Sequence, residues 1–158
     1  MSAFLQADLI QKITATVFVS MAPVVELRGG IPFGTALGLA PNVAMIAAVI
    51  GNLIPVPFII LFIRRIFQRM KRSQTLGRVA EYFEAKAEVR SEKVTRYRKF
   101  GLCIFVAVPL PGTGAWMGAL IAALLGMKLG DSLAAIAAGV IIAGILVTGL
   151  TYGFVSLF

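Results

Sequence analysis

Two charged residues, Glu26 and Arg28, interrupt an apolar stretch that covers residues 13–39. At the centre of a bilayer each charge would cost about 2.5–3.5 kcal/mol if it faced lipid. Because positions i and i+2 do not face each other on a helix, a local ion pair does not account for the two side chains. They must face protein, water or a ligand, so Glu26 is the candidate proton-binding group and Arg28 the candidate anion-binding group. Alternatively, both side chains only satisfy the backbone of a loop.

Glycine and proline follow this pair at Gly29, Gly30 and Pro32, which we add to the candidate binding residues. Glycine commonly ends helices and proline is favoured at the first position of a new one, so the pattern predicts a half-helix that begins near Ile31. The unpaired N–H groups at the start of such a half-helix would bind an anion. Irregular backbone at membrane depth is tolerated only beside protein or water, which predicts that the segment lines a cavity.

A second break rich in glycine and proline covers residues 109–116, PLPGTGAW. Its prolines end one helix, and Thr113 is a candidate cap for a second half-helix. Trp116 would lie just inside that helix, either as an interfacial anchor or as a surface on which an apolar or cationic part of a substrate stacks. The candidate binding residues of this segment are Pro111, Gly112, Thr113, Gly114 and Trp116.

Asn52 is the remaining polar candidate for substrate or proton binding. It lies in the middle of an uncharged run and is followed by Pro55 and Pro57. These prolines allow a kink that would line the cavity. Alternatively, the Asn52 side chain makes a hydrogen bond to another helix, as polar side chains do in membrane helix packing.

Two uncharged runs have the length of membrane-spanning helices and would position these residues. Residues 43–63 number 21, which is about 31 Å of helix, and residues 132–157 number 26. The hydrocarbon core of a bilayer is about 30 Å thick. Of the 158 residues, 59% are apolar and 14% charged, against about 45–50% and about 25% in soluble domains. The sequence therefore predicts one all-α integral membrane domain over residues 1–158.

A basic loop at residues 64–99 separates the two halves of the chain. It contains twelve Lys or Arg and four Glu, which accounts for the net charge of +8. A short basic loop between hydrophobic segments stays cytoplasmic, so residues 43–63 run from outside to inside. Apolar residues at three- and four-residue spacings from Leu76 to Tyr97 predict an amphipathic helix. Since topology explains the basic residues, we do not expect nucleic acid as a partner.

The halves, residues 1–63 and 100–158, share one organisation. In each, a break leads to a spanning run, and the Ile-Ala-Ala at 46–48 matches that at 136–138 at an offset of 90. If each broken segment enters and leaves the membrane on one side, the halves are inverted; if each crosses fully, the chain has four spans in parallel halves. Breaks at corresponding places are typical of transport sites in proteins built from repeats.

Residues 23–39, PVVELRGGIPFGTALGL, and 109–127, PLPGTGAWMGALIAALLGM, resemble the signature stretches of the small multi-drug export protein family, which is similar to the DedA/VTT superfamily. The resemblance covers most of the chain. It implies two inverted repeats, each a re-entrant helix hairpin plus one transmembrane helix, joined by the basic cytoplasmic helix. For DedA relatives it also implies proton-linked or lipid-directed transport with important acidic and Arg residues, here Glu26 and Arg28, together with Pro32. The arginine that those proteins have after the second break is missing, since no charge lies between Lys99 and Lys128.

The expected function is proton-coupled transport of an amphipathic substrate, either a lipophilic drug-like compound or a lipid-linked phosphate. A lipid scramblase or passive channel is the alternative, and would need a hydrophilic path but no coupling group. With no His and one Cys, the chain lacks a His-based metal site and a Ser-His dyad, so we expect neither an enzyme nor a cofactor. We also expect the protein to lie in the plasma membrane. We expect it to form a homodimer, because two spans and two hairpins are too few helices to enclose a transport pathway.

Overall fold

A computed structural model describes residues 2–71, 92–110 and 112–155, and within these ranges the chain is helical apart from short connections. Each half contributes a first helix, a short second helix and a long helix, the long helix of the first half being interrupted once. The helices are α1 Ser2–Met21, α2 Glu26–Ala36, α3 Pro41–Leu53, α4 Pro55–Lys71, α5 Glu92–Ala107, α6 Ala115–Leu124 and α7 Leu129–Val155.

Two helical stretches are long and apolar enough to cross a membrane, which confirms both predicted spans. They are Pro41–Arg69, with 29 residues, and Leu129–Gly153, with 25. The first consists of α3 and α4, which meet at Ile54 just before Pro55. Proline has no N–H to continue the helix ladder, so the predicted interruption follows from Pro55.

Large apolar side chains cover the outer surface of these helices. Phe58, Phe62, Ile145 and Leu150 are each more than half exposed. Contiguous apolar surface of this kind is rare on soluble monomers and marks a surface that contacts lipid or protein. Together with the two spans, it indicates a membrane protein.

The prediction that the first helix breaks at Gly29 and Gly30 is wrong. The break is the turn at residues 22–25, and α2 begins at Glu26 and contains Gly29, Gly30 and Pro32. A helix-interior glycine loses about 1 kcal/mol relative to alanine. Here close packing offsets this loss: a Cβ on Gly30 would collide with Ser20 of α1 and lie 3.4 Å from Ala48 of α3.

The first and second helices of each half form an antiparallel hairpin. In the first hairpin, Gly30 lies against Ser20, and Gly34 lies against Thr16 one turn further from the connection. In the second hairpin, formed by α5 and α6, Gly118 lies against Val106. Small residues at such contacts let helix backbones approach closely, which replaces the hydrophobic driving force that is missing in lipid.

The short helices α2 and α6 end in the same way. A glycine in the left-handed region follows each helix, Gly38 with φ 82° and Gly126 with φ 61°. The next N–H, of Leu39 or Met127, donates to a carbonyl five positions earlier, at 3.0 and 3.1 Å. This Schellman-type ending aligns the halves at a spacing of 88, as between Leu39 and Met127. The Ile-Ala-Ala match has an offset of 90, two residues more than the spacing of these helix endings.

Each short helix lies between its own hairpin partner and the long helix of the other half. α2 packs on α1, α3 and α7, and α6 packs on α4, α5 and α7. The core they share is rich in alanine, including Ala48, Ala115, Ala119 and Ala122. The packing brings the connections of the two hairpins close to each other, as the hydrogen bonds from Arg28 to Leu110 and from Trp116 to Met21 show.

The predicted boundaries of the basic loop fall inside helices. α4 continues past residue 63 to Lys71, and α5 already begins at Glu92. Most of the predicted amphipathic helix, residues 72–91, lies outside the described part of the chain.

Candidate functional site

The carboxylate of Glu26 lies at the N-terminus of α6, in the other half of the chain. The backbone N–H of Trp116 donates to Glu26 Oε1 at 3.2 Å, and Glu26 is only 4% exposed. The N-cap position of α6 is Gly114, which has no side chain to accept a hydrogen bond. Glu26 therefore caps α6 from a distance. A carboxylate at a helix N-terminus is stabilised by about 0.3–1 kcal/mol on the surface and by up to ~2 kcal/mol when partly buried.

Gly114 makes room for this carboxylate. A Cβ at Gly114 would collide with the Glu26 carboxylate, and its φ of 116° lies in the left-handed region. Only glycine combines this backbone conformation with such a close approach. Glu26 itself has a φ of 48°, which is unusual for a residue with a side chain and costs about 1–3 kcal/mol. Strain of this kind persists only where surrounding contacts over-determine it, and it clusters at functional sites.

Arg28 binds the connection between α5 and α6. Its guanidinium donates to the Leu110 carbonyl, to the Val108 carbonyl at 3.4 Å and to Thr113 Oγ1 at 2.6 Å. The carbonyls at the end of a helix have no partners within it, and a fork of N–H donors satisfies several of them at once. The charge of Arg28 is thus placed against the partly negative end of α5.

Thr113 does not cap α6, contrary to the sequence-based expectation. Its hydroxyl lies within donating distance of two carbonyls behind it, Val108 at 2.7 Å and Leu110 at 2.8 Å. The same oxygen accepts from Arg28. Thr113 therefore closes the connection and orients the Arg28 side chain, while Glu26 supplies the cap.

Trp116 ties α6 to the first hairpin. Its indole N–H donates to the carbonyl of Met21, the last residue of α1, at 3.2 Å. Arg28 makes the reciprocal contact. Trp116 lies on α6 and donates to the end of α1, whereas Arg28 lies on α2 and donates to the carbonyls that follow α5. Arg28 and Trp116 are also equivalent at the spacing of 88. Stacking of a substrate on Trp116 stays a prediction.

The remaining predicted residues of the two breaks have different surroundings. Gly29 is close to the Val25 side chain, and Gly30 is close to Ser20. Pro32 is exposed on α2. Gly112 has a φ of 86° and open space around it. Pro111 lies outside the described residues.

The predicted hydrogen bond from Asn52 to another helix is not formed. Asn52 is 0% exposed, and neither its Nδ2 nor its Oδ1 has a hydrogen-bond partner among the described residues. Burying a polar side chain without a partner costs about 1–3 kcal/mol. Such a group therefore requires an explanation beyond packing.

Some contacts at the site could not be found by looking for reactive residue types. Trp116 and, apart from its bond to Thr113, Arg28 donate to backbone carbonyls, and the residue that admits the Glu26 carboxylate is a glycine. A usable signal did exist: at the 88-residue spacing, Glu26 aligns with Gly114. Across residues 2–71, 92–110 and 112–155, no group of three His, Cys, Asp or Glu could hold a metal ion.

The arrangement would allow one negatively charged group to replace another at the N-terminus of α6. Glu26 and Arg28 each interact with backbone groups of the second hairpin. The N-terminus of α6 is therefore already neutralised by a carboxylate, and another anion could bind there only if Glu26 left.

Comparison with known proteins finds one similarity. A model of the family described as "Putative small multi-drug export protein" matches residues 26–146. The match begins at Glu26, just after the connection of the first hairpin, and includes Arg28, the connection of the second hairpin and Trp116. No curated protein and no solved structure matches the chain.

Proposed function

Because the chain belongs to the small multi-drug export protein family, we propose that it is a proton-coupled membrane transporter for an amphipathic substrate. The substrate class is a lipophilic drug-like compound or a lipid-linked phosphate. The proposal assigns no catalytic residue and no cofactor. It places the protein in the plasma membrane as a homodimer.

The observation that carries the proposal is the capping of α6 by the buried Glu26 carboxylate. When Glu26 binds a proton it loses its negative charge, and with it the favourable interaction with the positive end of the helix. The N–H groups of α6 then become available to a polar or anionic group of the substrate. Proton and substrate would occupy this position alternately.

The re-entrant topology is part of the proposal. It is supported by the antiparallel hairpins, whose connections meet at Glu26, Arg28 and Thr113. With the basic segment at residues 64–71 cytoplasmic, Tyr152 and Leu39 would lie at the outer surface, and Arg64 and Met127 at the inner one. Tyr152 contacts Leu39, and Arg64 contacts Met127, as this arrangement requires.

The test is transport in proteoliposomes with an imposed pH gradient. Internal pH is recorded while lipophilic cations and isoprenoid phosphates are added in turn. We expect one class to move protons, and we expect Glu26→Gln to reduce that movement at least tenfold. Asp8→Asn is the matched control, because Asp8 is a half-exposed acid that pairs with Lys12 at 2.7 Å.

Two outcomes would count against the proposal. If Glu26→Gln moves protons as well as the unmodified protein, Glu26 is not the coupling group. If no compound moves protons but labelled lipids equilibrate between the leaflets equally in both proteins, the protein is a lipid scramblase or passive channel.

A further inference from the structure

The buried carboxamide of Asn52 has a donor and an acceptor that the described residues leave unused. Other buried polar side chains bond to their own helix, as Ser20 does to the Thr16 carbonyl at 2.7 Å. Asn52 has no such arrangement, although it is fully buried. The position of Asn52 relative to α2 indicates which group its carboxamide can bind.

The register of α2 on α3, extended by one turn beyond the observed contacts, pairs Glu26 with Asn52. A Cβ on Gly34 would lie 3.1 Å from Ala44, and one on Gly30 would lie 3.4 Å from Ala48. The two helices are thus antiparallel, and each turn of α2 faces one turn of α3. Continuing this pairing by four residues on both helices brings Glu26 opposite Asn52.

The hydrogen-bonding capacity of a carboxyl group changes with protonation. An ionised carboxylate only accepts hydrogen bonds, and that of Glu26 accepts one from the Trp116 N–H at the start of α6. A protonated carboxyl has one O–H donor and one carbonyl acceptor. A carboxamide offers the complementary pair, an acceptor in Oδ1 and donors on Nδ2.

We propose that Asn52 is the partner of protonated Glu26, which makes it a second residue of the proton site. On proton uptake the Glu26 carboxyl leaves the Trp116 N–H, donates its O–H to Asn52 Oδ1 and accepts from Asn52 Nδ2. On proton release it returns to α6. This inference rests on the proposed function, because it describes how proton binding at Glu26 frees the N-terminus of α6.

The groups around Glu26 fit a movement between these two partners. Among the described residues, Arg28 on the same helix is the ionisable group whose charge acts on Glu26. α6 contributes the Trp116 N–H, and the register of α2 on α3 puts the neutral Asn52 across from Glu26. Arg28 is itself bound to the connection between α5 and α6, so it need not follow the carboxyl.

Infrared difference spectroscopy of the full chain in lipid, between high and low pH, tests the proposal. We expect a C=O stretching band of a hydrogen-bonded carboxylic acid at low pH that Glu26→Gln abolishes. In Asn52→Leu this band should move to higher frequency, because the acid loses its partner. Asn42→Leu is the control, since Asn42 is an exposed asparagine at the start of the same helix.

A Glu26 band at the same frequency in Asn52→Leu as in the unmodified protein would overturn the inference. Proton-coupled transport through Glu26 could still stand, because the proteoliposome assay measures it separately. Asn52→Thr provides a second variant if Asn52→Leu does not fold. Its smaller hydroxyl replaces only one of the two hydrogen bonds, so we expect an intermediate shift, and no shift would again overturn the inference.

Discussion

Glu26 and Arg28 carry opposite charges, and in the described contacts each binds the second hairpin. Each side chain contacts the end of a helix whose partial charge is opposite to its own: Glu26 the N-terminus of α6, and Arg28 the carbonyls that follow α5. Charged groups that bind the backbone dipoles at helix ends form charge-assisted hydrogen bonds, which are stronger than neutral ones. The two residues thereby hold the second hairpin on the first, and a change of charge at Glu26 alters this contact directly.

Gly114→Ala should destabilise the protein more than Gly112→Ala. Both glycines have positive φ, so each alanine costs about 1–2 kcal/mol in backbone conformation. At Gly114 the new methyl group also displaces the Glu26 carboxylate, and losing the charged hydrogen bond to Trp116 adds ~1.5–3 kcal/mol. Thermal unfolding in detergent measures the difference, and equal losses for the two variants would show that the carboxylate contact contributes nothing.

At the scale of helices, each long helix caps the end of the short helix in the other half. Arg64 of α4 donates to the carbonyl of Met127. The Tyr152 hydroxyl of α7 donates to the carbonyl of Leu39 at 3.3 Å. These carbonyls follow the Schellman-type endings of α6 and α2. The ends of both short helices are therefore tied to a partner from outside their own hairpin.

Tyr152→Phe should reduce stability by about 0.5–1.5 kcal/mol, the usual value of one hydrogen bond. The change removes only the hydroxyl and leaves the ring in place, so the loss reports the hydroxyl's contacts at the end of α2, which are the bond it donates to Leu39 and the one it accepts from Thr35 at 3.2 Å. Tyr97→Phe is the control, because Tyr97 is 76% exposed. Chemical unfolding followed by fluorescence measures both variants, and a loss no larger than that of the control would mean that the Tyr152 hydroxyl does not stabilise the end of α2.

At the scale of the whole molecule, the two halves use equivalent positions for equivalent contacts but fill them with different residues. Glu26 aligns with Gly114, Arg28 with Trp116, and Arg64 with Tyr152, each at the spacing of 88. Where the halves meet, the first half provides the acid Glu26 and the base Arg28. The second half provides the space at Gly114 and the neutral donor Trp116. A single carboxylate at the meeting point of the halves is suited to bind one proton in a transport cycle.

The proposed topology predicts opposite labelling of two exposed positions near the ends of the long helices. With Cys103 replaced by alanine, an impermeant maleimide added to right-side-out vesicles should react with Asn42→Cys. It should react with Lys128→Cys only after the membrane is made permeable. In the alternative with four full spans, residues 42 and 128 both lie outside, so labelling of both in sealed vesicles would exclude the re-entrant arrangement.

Several features could be predicted because they depend on local composition and length. The uncharged runs at 43–63 and 132–157 are long enough to span, and the spanning helices Pro41–Arg69 and Leu129–Gly153 lie there. The interruption at Pro55 follows from the chemistry of one residue. Glu26 and Arg28 stood out as candidates because a charge in an apolar run needs a partner wherever it lies. The sequence by itself therefore determined the helical class, the spans and the unusual residues.

Only the tertiary structure decided which partners those residues have. Gly29, Gly30 and Pro32 have low helix propensity, yet α2 continues through them, and at Gly30 close packing against α1 and α3 offsets the loss. Most partners of Glu26 and Arg28 are backbone groups eighty or more residues away, and residue types do not reveal backbone positions. Helix ends become visible as binding partners only once packing has brought them together.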